Sequence, residues 1–182
     1  MKRLRCLGAL PLVFFAWTAY GYFQNGNQAE LWWICNVSNV ALGIGMLAAW
    51  PGLTWIATLW ILLGIGPWLL DGFSVSGFQA HSFFTHLGSA ALGLYAMSRL
   101  PAKPGIWWRA ALFFYGVQLA TRLATGPRFN VNQVYDMHES FRAQFTSYWV
   151  YFALNTVFFV AGLLALELLL RKTIARAGRM RG

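Results

Sequence analysis

Six stretches of roughly twenty mostly apolar residues, separated by glycine, proline and charge, leave this 182-residue chain few folds to choose from. They run at about Leu7 to Phe23, Leu31 to Trp50, Leu53 to Leu70, His81 to Ser98, Ile106 to Ala124 and Thr146 to Leu170. Each is near the ~20 residues that a helix needs to cross a hydrocarbon core. Backbone polar groups in such a core must be satisfied within the segment, so each stretch is expected to be helical. With 58% apolar residues, 18% aromatics and only 10% charge, an ordinary soluble domain is excluded. The expected class is all-α, a polytopic six-helix transmembrane bundle in which residues 1–182 form one integral membrane domain.

The charges assign the sidedness. With a cytoplasmic N-terminus, Lys2, Arg3, Arg5, Arg99, Lys103, Arg109, Arg171, Lys172, Arg176, Arg179 and Arg181 all fall inside, eleven of the fourteen basic residues. Arg122, Arg128 and Arg142 fall outside, together with Glu30, Asp71, Asp136 and Glu139. The positive-inside rule then predicts N-in and C-in, which requires an even number of spans. In a soluble chain a net charge of +9 would suggest nucleic acid, but here the distribution reads as topology. The expected setting is the inner membrane of a bacterium, with membrane lipid as the partner and no nucleic acid.

The first span follows Lys2-Arg-Leu-Arg and ends near Ala19-Tyr20-Gly21, so it also fits a cleaved signal peptide. Cys6 and Cys35 sit on opposite sides in this topology and cannot pair within one chain, which makes each a free thiol.

Polar residues inside the spans mark where chemistry can occur. In the stretch Gln79 to Gly93, read as a helix, Ser82, His86, Ser89 and Gly93 form one small and polar stripe that must face protein or water. His81, about 140° around the helix from His86, is expected at the interface. The second span carries Cys35-Asn36-Val37-Ser38-Asn39, in which Cys35, Ser38 and Asn39 share a face. Two readings of that run stand open, helix packing by small polar residues and a nucleophilic Cys35. Cys35 and His86 enter their helices to similar depth from the outer side, so the two are expected to be able to meet.

The third span ends Gly64-Ile65-Gly66-Pro67-Trp68-Leu69-Leu70-Asp71, where Pro67 can bend the helix and Asp71 marks its outer end. Asp71 is read either as orienting a histidine or as a solvated helix terminus. Gln118, Thr121, Arg122 and Thr125 run along one side of the fifth span, and Arg122 suits snorkelling to headgroups. The segment Arg128 to Arg142 is the longest polar excursion and is long enough to cap the outer mouth. The sixth span contributes Tyr148, Tyr151 and Asn155 before an apolar stem, and Glu167, near the basic tail, is assigned no role.

Leu31-Trp-Trp-Ile-Cys35, Pro67 and Asp71, Phe84-Thr85-His86-Leu87-Gly88 and Asn130-Val131-Asn132 together resemble the six-span intramembrane acyl hydrolases and acyltransferases. That superfamily includes the androgen-induced hydrolases of fatty-acid esters of hydroxy fatty acids and a bacterial branch with Cys and His, to which the chain is more similar. The resemblance implies Cys35 as nucleophile, His86 as its base and Asn130 at the position of the branch's asparagine. Two departures stand out: Leu87 is inserted between His86 and Gly88, where Ser-His-Gly is the expected pattern, and the usual aromatic and methionine do not follow the asparagine.

The implied function is that of an intramembrane lipid acyl hydrolase or acyltransferase acting near the outer leaflet without a cofactor. In such chemistry an imidazole takes the thiol proton, and Asn36, Asn39 or Arg122 supplies donors to the oxyanion, with Asp71 and Asn130 as orienting groups. Two further readings remain open. One is a metal site at the outer face from His86, His138, Asp136, Glu139 and Cys35, although no ligand pair has helical metal spacing on a shared face. The other is a transporter subunit or assembly factor with Asp71, His86 and Arg122 along a path, although no internal repeat supports it. No lysine lies within a span, which excludes a retinal Schiff base.

Overall fold

The computed structural model describes residues 1–74 and 77–179, and every regular element among them is helical. Arg181, counted above with the inner charges, lies outside the described residues, as do positions 75 and 76 of the expected loop between Asp71 and Gln79. The helices are α1 (Lys2–Leu7), α2 (Ala9–Gln24), α3 (Ile34–Leu47), α4 (Pro51–Ser74), α5 (Ala80–Phe83), α6 (Ser89–Arg99), α7 (Ile106–Ala124) and α8 (Tyr148–Arg179). A π-turn, Phe84–Gly88, joins α5 to α6.

Three helical stretches are long and apolar enough to cross a membrane: Lys2–Gln24, Pro51–Phe73 and Tyr148–Arg176. The surface agrees with that character. Leu123 is 81% exposed, and Val157, Phe158, Leu168 and Leu169 are also mostly exposed, an apolar exterior far beyond what water tolerates on one chain. The protein is therefore an all-helical membrane protein.

The helix α4 is the centre of the bundle, packing against α3, α6, α7 and α8. Trp55, Leu59 and Trp60 on one side of it meet Phe114 of α7 and Leu163 of α8, and Trp60 stacks on Phe114 with ring centroids 4.6 Å apart. Its other side meets α3 and α6 through small residues. A Cβ placed on Gly45 would sit 2.8 Å from the Thr54 hydroxyl, and one on Gly93 2.5 Å from that of Thr58, so these backbones approach as closely as glycine allows.

The second span is shorter than its apolar run. It was expected to open at Leu31, but Gln28–Trp32 forms a 3-10 turn and Trp33 is extended (φ −52°, ψ 136°), so α3 starts at Ile34. At its other end Ala49 adopts φ 52°, while Trp50 N–H bonds Gly45 O at 2.7 Å and Ala49 N–H bonds Met46 O at 3.2 Å. This is a Schellman cap with alanine where glycine is usual, and Pro51 then begins α4 at the position that needs no N–H donor. The helix α4 continues past Pro67 and past Asp71 to Ser74, so Asp71 lies inside its last turns and not at its end.

Glu167 has a structural role that its place near the basic tail concealed. It is 2% exposed, accepts from Gly105 N–H at 2.9 Å and Trp107 N–H at 2.7 Å, and pairs with Arg171 at 2.7 Å. It thereby caps the first turn of α7 from α8, a distance of sixty residues in sequence. Arg171 in turn donates to the carbonyls of Ala102 and Lys103 and lies 4.5 Å from the Trp55 ring.

Candidate functional site

The π-turn places the histidine. Each residue in a π-turn bonds five residues back instead of four, so the helix takes up one extra residue without losing register on either side. Leu87 takes the outward position at 46% exposed, while Thr85, His86, Ser89 and Gly93 are buried. The leucine that interrupts the expected Ser-His-Gly pattern is thus accommodated by this turn. The expected inward stripe of His86, Ser89 and Gly93 survives it, with Ser82 half-buried.

Neighbouring groups hold the His86 ring. Its Nδ1 lies 3.0 Å from the carbonyl oxygen of Ser82. A carbonyl only accepts, so Nδ1 carries the proton and Nε2 holds the lone pair. The ring stacks on Trp68 of α4, centroids 4.7 Å apart and planes 9° from parallel. Nε2 has no hydrogen-bond partner among the described residues.

Cys35 stands in the first turn of α3 and faces the same side of α4. A Cβ on Gly64 would lie 2.6 Å from its sulfur. Gly64 and Trp68 are four residues apart, so Cys35 and His86 rest on successive turns of one α4 face. Asn39 links their backbones: its amide donates to the carbonyl of Cys35 at 2.8 Å and to that of Thr85 at 3.0 Å, and its oxygen accepts from Ser89 Oγ. Both amide hydrogens of Asn39 are engaged by these bonds, so it positions the two turns. No hydrogen bond joins the Cys35 sulfur to His86 among the described residues. Both cysteines are free thiols, Cys6 exposed and Cys35 half-buried.

Around Cys35 gather residues from three further elements. Asn36 donates to the Glu30 carbonyl at 2.8 Å, and Trp33 Nε1 donates to the Glu30 carboxylate. Tyr22, near the end of α2, lies beside Asn36 and within Coulombic reach of Glu30, Cys35 and Asp71. Burial pushes the Glu30 carboxyl above the ordinary glutamate range, and the Asp71 carboxylate adds to that rise while the Trp33 donor opposes it. Asp71 therefore stands by the Glu30 cluster. His81 packs against Gly21 and between the Trp17 and Tyr22 rings.

The other predicted residues lie elsewhere. Asn130 (φ 39°) accepts from Tyr135 and Asp136 N–H and donates to the Asp136 carbonyl, so it organises its own loop. Arg122 is exposed between α7 and that loop, where it donates to the Val134 carbonyl at 3.1 Å. His138, Asp136 and Glu139 belong to the loop as well, and no group of three or more His, Cys, Asp and Glu side chains is gathered for a metal among the described residues.

Sequence reasoning passed over three residues that shape this region. Asn132 accepts from Ile34 N–H at 2.9 Å and donates to the Trp32 carbonyl at 2.6 Å and to Thr121 Oγ1 at 3.1 Å, which fixes the start of α3 just before Cys35. Its φ of 53° is one that asparagine tolerates better than most residues, a usable signal. Trp68 carries no such signal, because its stack on His86 is a contact between helices. Tyr22 lies one turn beyond the buried Thr18 on α2. No protein-family model matches the chain, and neither a curated protein nor a solved structure matches it.

Proposed function

We propose that this protein is a six-span integral membrane protein of the bacterial inner membrane, with both termini cytoplasmic, that transfers or hydrolyses lipid acyl groups at Cys35. The observation that carries this reading is the Asn39 amide, which holds the turn bearing the thiol against the π-turn bearing the imidazole. A π-turn around a buried histidine is a costly local geometry that occurs often at functional sites. With α1 and α2 counted as one segment, and α5, the π-turn and α6 as another, the six helical segments overlap the six apolar stretches in order, which supports this reading.

In the proposed step the Cys35 side chain turns from Gly64 toward the open Nε2 of His86, which takes the thiol proton. The thiolate attacks the ester carbonyl carbon, and the tetrahedral intermediate collapses with the C–O bond breaking. The departing alkoxide takes the proton from the imidazolium. Water, or the hydroxyl of a second lipid, then cleaves the thioester with His86 again as base and restores the thiol. Catalytic hydrogen bonds that are long in a free enzyme commonly close only when substrate is bound. In this proposed step the Tyr22 hydroxyl and the Asn36 amide serve as donors to the oxyanion.

The test is labelling of purified protein in detergent with a thiol-reactive acyl probe. Cys35→Ala abolishes labelling, His86→Ala slows it strongly, and Cys6→Ala leaves it intact. Deleting one sulfur costs only ~1 kcal/mol, so Cys35→Ala should keep its thermal stability. Full labelling of Cys35→Ala would remove the enzyme reading and leave a non-catalytic membrane component.

A further inference from the structure

We propose that the cleft between α7 and α8 beside Arg122 binds the phosphate headgroup of an anionic membrane lipid, with one of its chains lying along the helices. The site is separate from Cys35 and His86 and rests on the proposed topology, in which α7 and α8 both cross the membrane.

The cleft has a volume of about 130 Å³ and opens to the exterior. Sites that enclose a whole small molecule run to roughly 300–1,000 Å³, so this one takes the end of a molecule whose remainder stays outside. Its polar wall is Arg122, Gln118 and Tyr148, and its apolar wall is Leu119, Trp149 and Phe152. Leu119 and Trp149 are 60% and 71% exposed, so the apolar wall continues into the outer surface of the helices.

The depth suits a headgroup. Arg122 stands in the last turn of α7 and Trp149 in the first turn of α8, where a chain of this kind passes from hydrocarbon to interface and where tryptophan is enriched. A phosphate is the anion found at that depth.

Among the described residues no carboxylate forms an ion pair with the charge at the cleft. Arg122 donates from one nitrogen to the Val134 carbonyl at 3.1 Å and lies 5.4 Å from the Tyr135 ring centroid, which leaves most of its five N–H donors available. The ion pairs among the described residues are Arg142 with Asp136 and Arg171 with Glu167, and neither includes Arg122. Neighbours hold the wall in place: Gln118 donates to the Asn132 carbonyl at 3.0 Å and Tyr148 to the Gln133 carbonyl at 2.9 Å. A fixed guanidinium beside an apolar groove recognises phosphate through paired N–H donors and a chain through the groove.

The experiment titrates delipidated protein in neutral detergent with short-chain phosphatidylglycerol, diacylglycerol of the same chain length and inorganic phosphate, and reads adducts by native mass spectrometry. Phosphatidylglycerol is expected to bind at least about tenfold more tightly than diacylglycerol, and Arg122→Gln to weaken it about tenfold or more. Arg128→Gln should change nothing, since Arg128 lies over the Phe129 ring outside the cleft. Leu119→Trp, at an exposed position, fills the apolar wall and should also weaken phosphatidylglycerol, which decides the matter if Arg122→Gln fails to fold. Equal binding of diacylglycerol, or unchanged binding in the folded variants, overturns the proposal. Displacement of the lipid by inorganic phosphate at comparable concentration overturns the lipid as the source of the phosphate.

Discussion

Asn39 of α3 donates its side-chain amide to the carbonyl oxygen of Thr85 at 3.0 Å, across forty-six residues of sequence and between two buried groups. The same nitrogen holds the Cys35 carbonyl, and the Asn39 oxygen holds Ser89 on the far side of the π-turn. One side chain thus sets the spacing of the two helices that carry the thiol and the imidazole.

Replacing it with an apolar residue of similar size, Asn39→Leu, removes its bonds to the Cys35 and Thr85 carbonyls and leaves the buried Ser89 hydroxyl poorly satisfied, with only a long 3.5 Å contact to the Phe84 carbonyl. The expected loss is about 2 kcal/mol, since an unsatisfied buried polar group costs about 1–3 kcal/mol. Asn25→Leu, at an exposed site where the amide bonds only Gly21 of its own helix, serves as the comparison and should be near neutral. Equilibrium unfolding in detergent measures both. Equal losses in the two variants would show that the link between helices contributes nothing.

Gly64→Ala drives a methyl group to 2.6 Å from the Cys35 sulfur and is expected to destabilise by about 1–3 kcal/mol, the usual cost of overpacking. Gly116→Ala, with no atom within 4 Å of the added carbon, should cost nothing. Because the clash is with one sulfur atom, Cys35→Ala in the Gly64→Ala background should recover most of the loss. A double-mutant cycle reads that coupling, and strict additivity would contradict the contact.

Ala49→Gly should stabilise the protein by about 1 kcal/mol, because a non-glycine residue in the left-handed region costs roughly 1–2 kcal/mol and glycine in the unfolded chain returns part of it. The unfolding midpoint in detergent is the measurement. A destabilised variant would mean that the Ala49 methyl contributes more through packing than its backbone strain costs.

Glu30→Gln tests the raised carboxyl. A carboxyl whose folded value lies above its unfolded value binds its proton more tightly when folded, so stability is greatest at low pH and is lost as pH rises from the unfolded value through the folded one. The glutamine variant keeps an acceptor for Trp33 Nε1 and should flatten that dependence. Asp71→Asn should reduce the slope in part, by removing the adjacent negative charge. Thermal midpoints across the carboxylate range decide it, and an unchanged slope in Glu30→Gln would assign the dependence to other groups.

The helical class, the positions of the helices and the inward face of His86, Ser89 and Gly93 were legible in the sequence, because apolar length and helical periodicity are set by neighbours within a few turns. The true start of α3 was not, since the capture of Ile34 N–H by Asn132 joins residues ninety-eight apart. Nor was the capping of α7 by Glu167, sixty residues away. An acid in an apolar run shows that a partner must exist, but not which one. The same division runs through the candidate site. Polarity within the spans singled out Cys35, Asn39 and His86, whereas the π-turn, the Trp68 stack and the Gly64 contact follow from how α3, α4 and the histidine helix pack together. In a membrane bundle that packing is set by close contact of small residues and by hydrogen bonds between helices, and no local pattern encodes it.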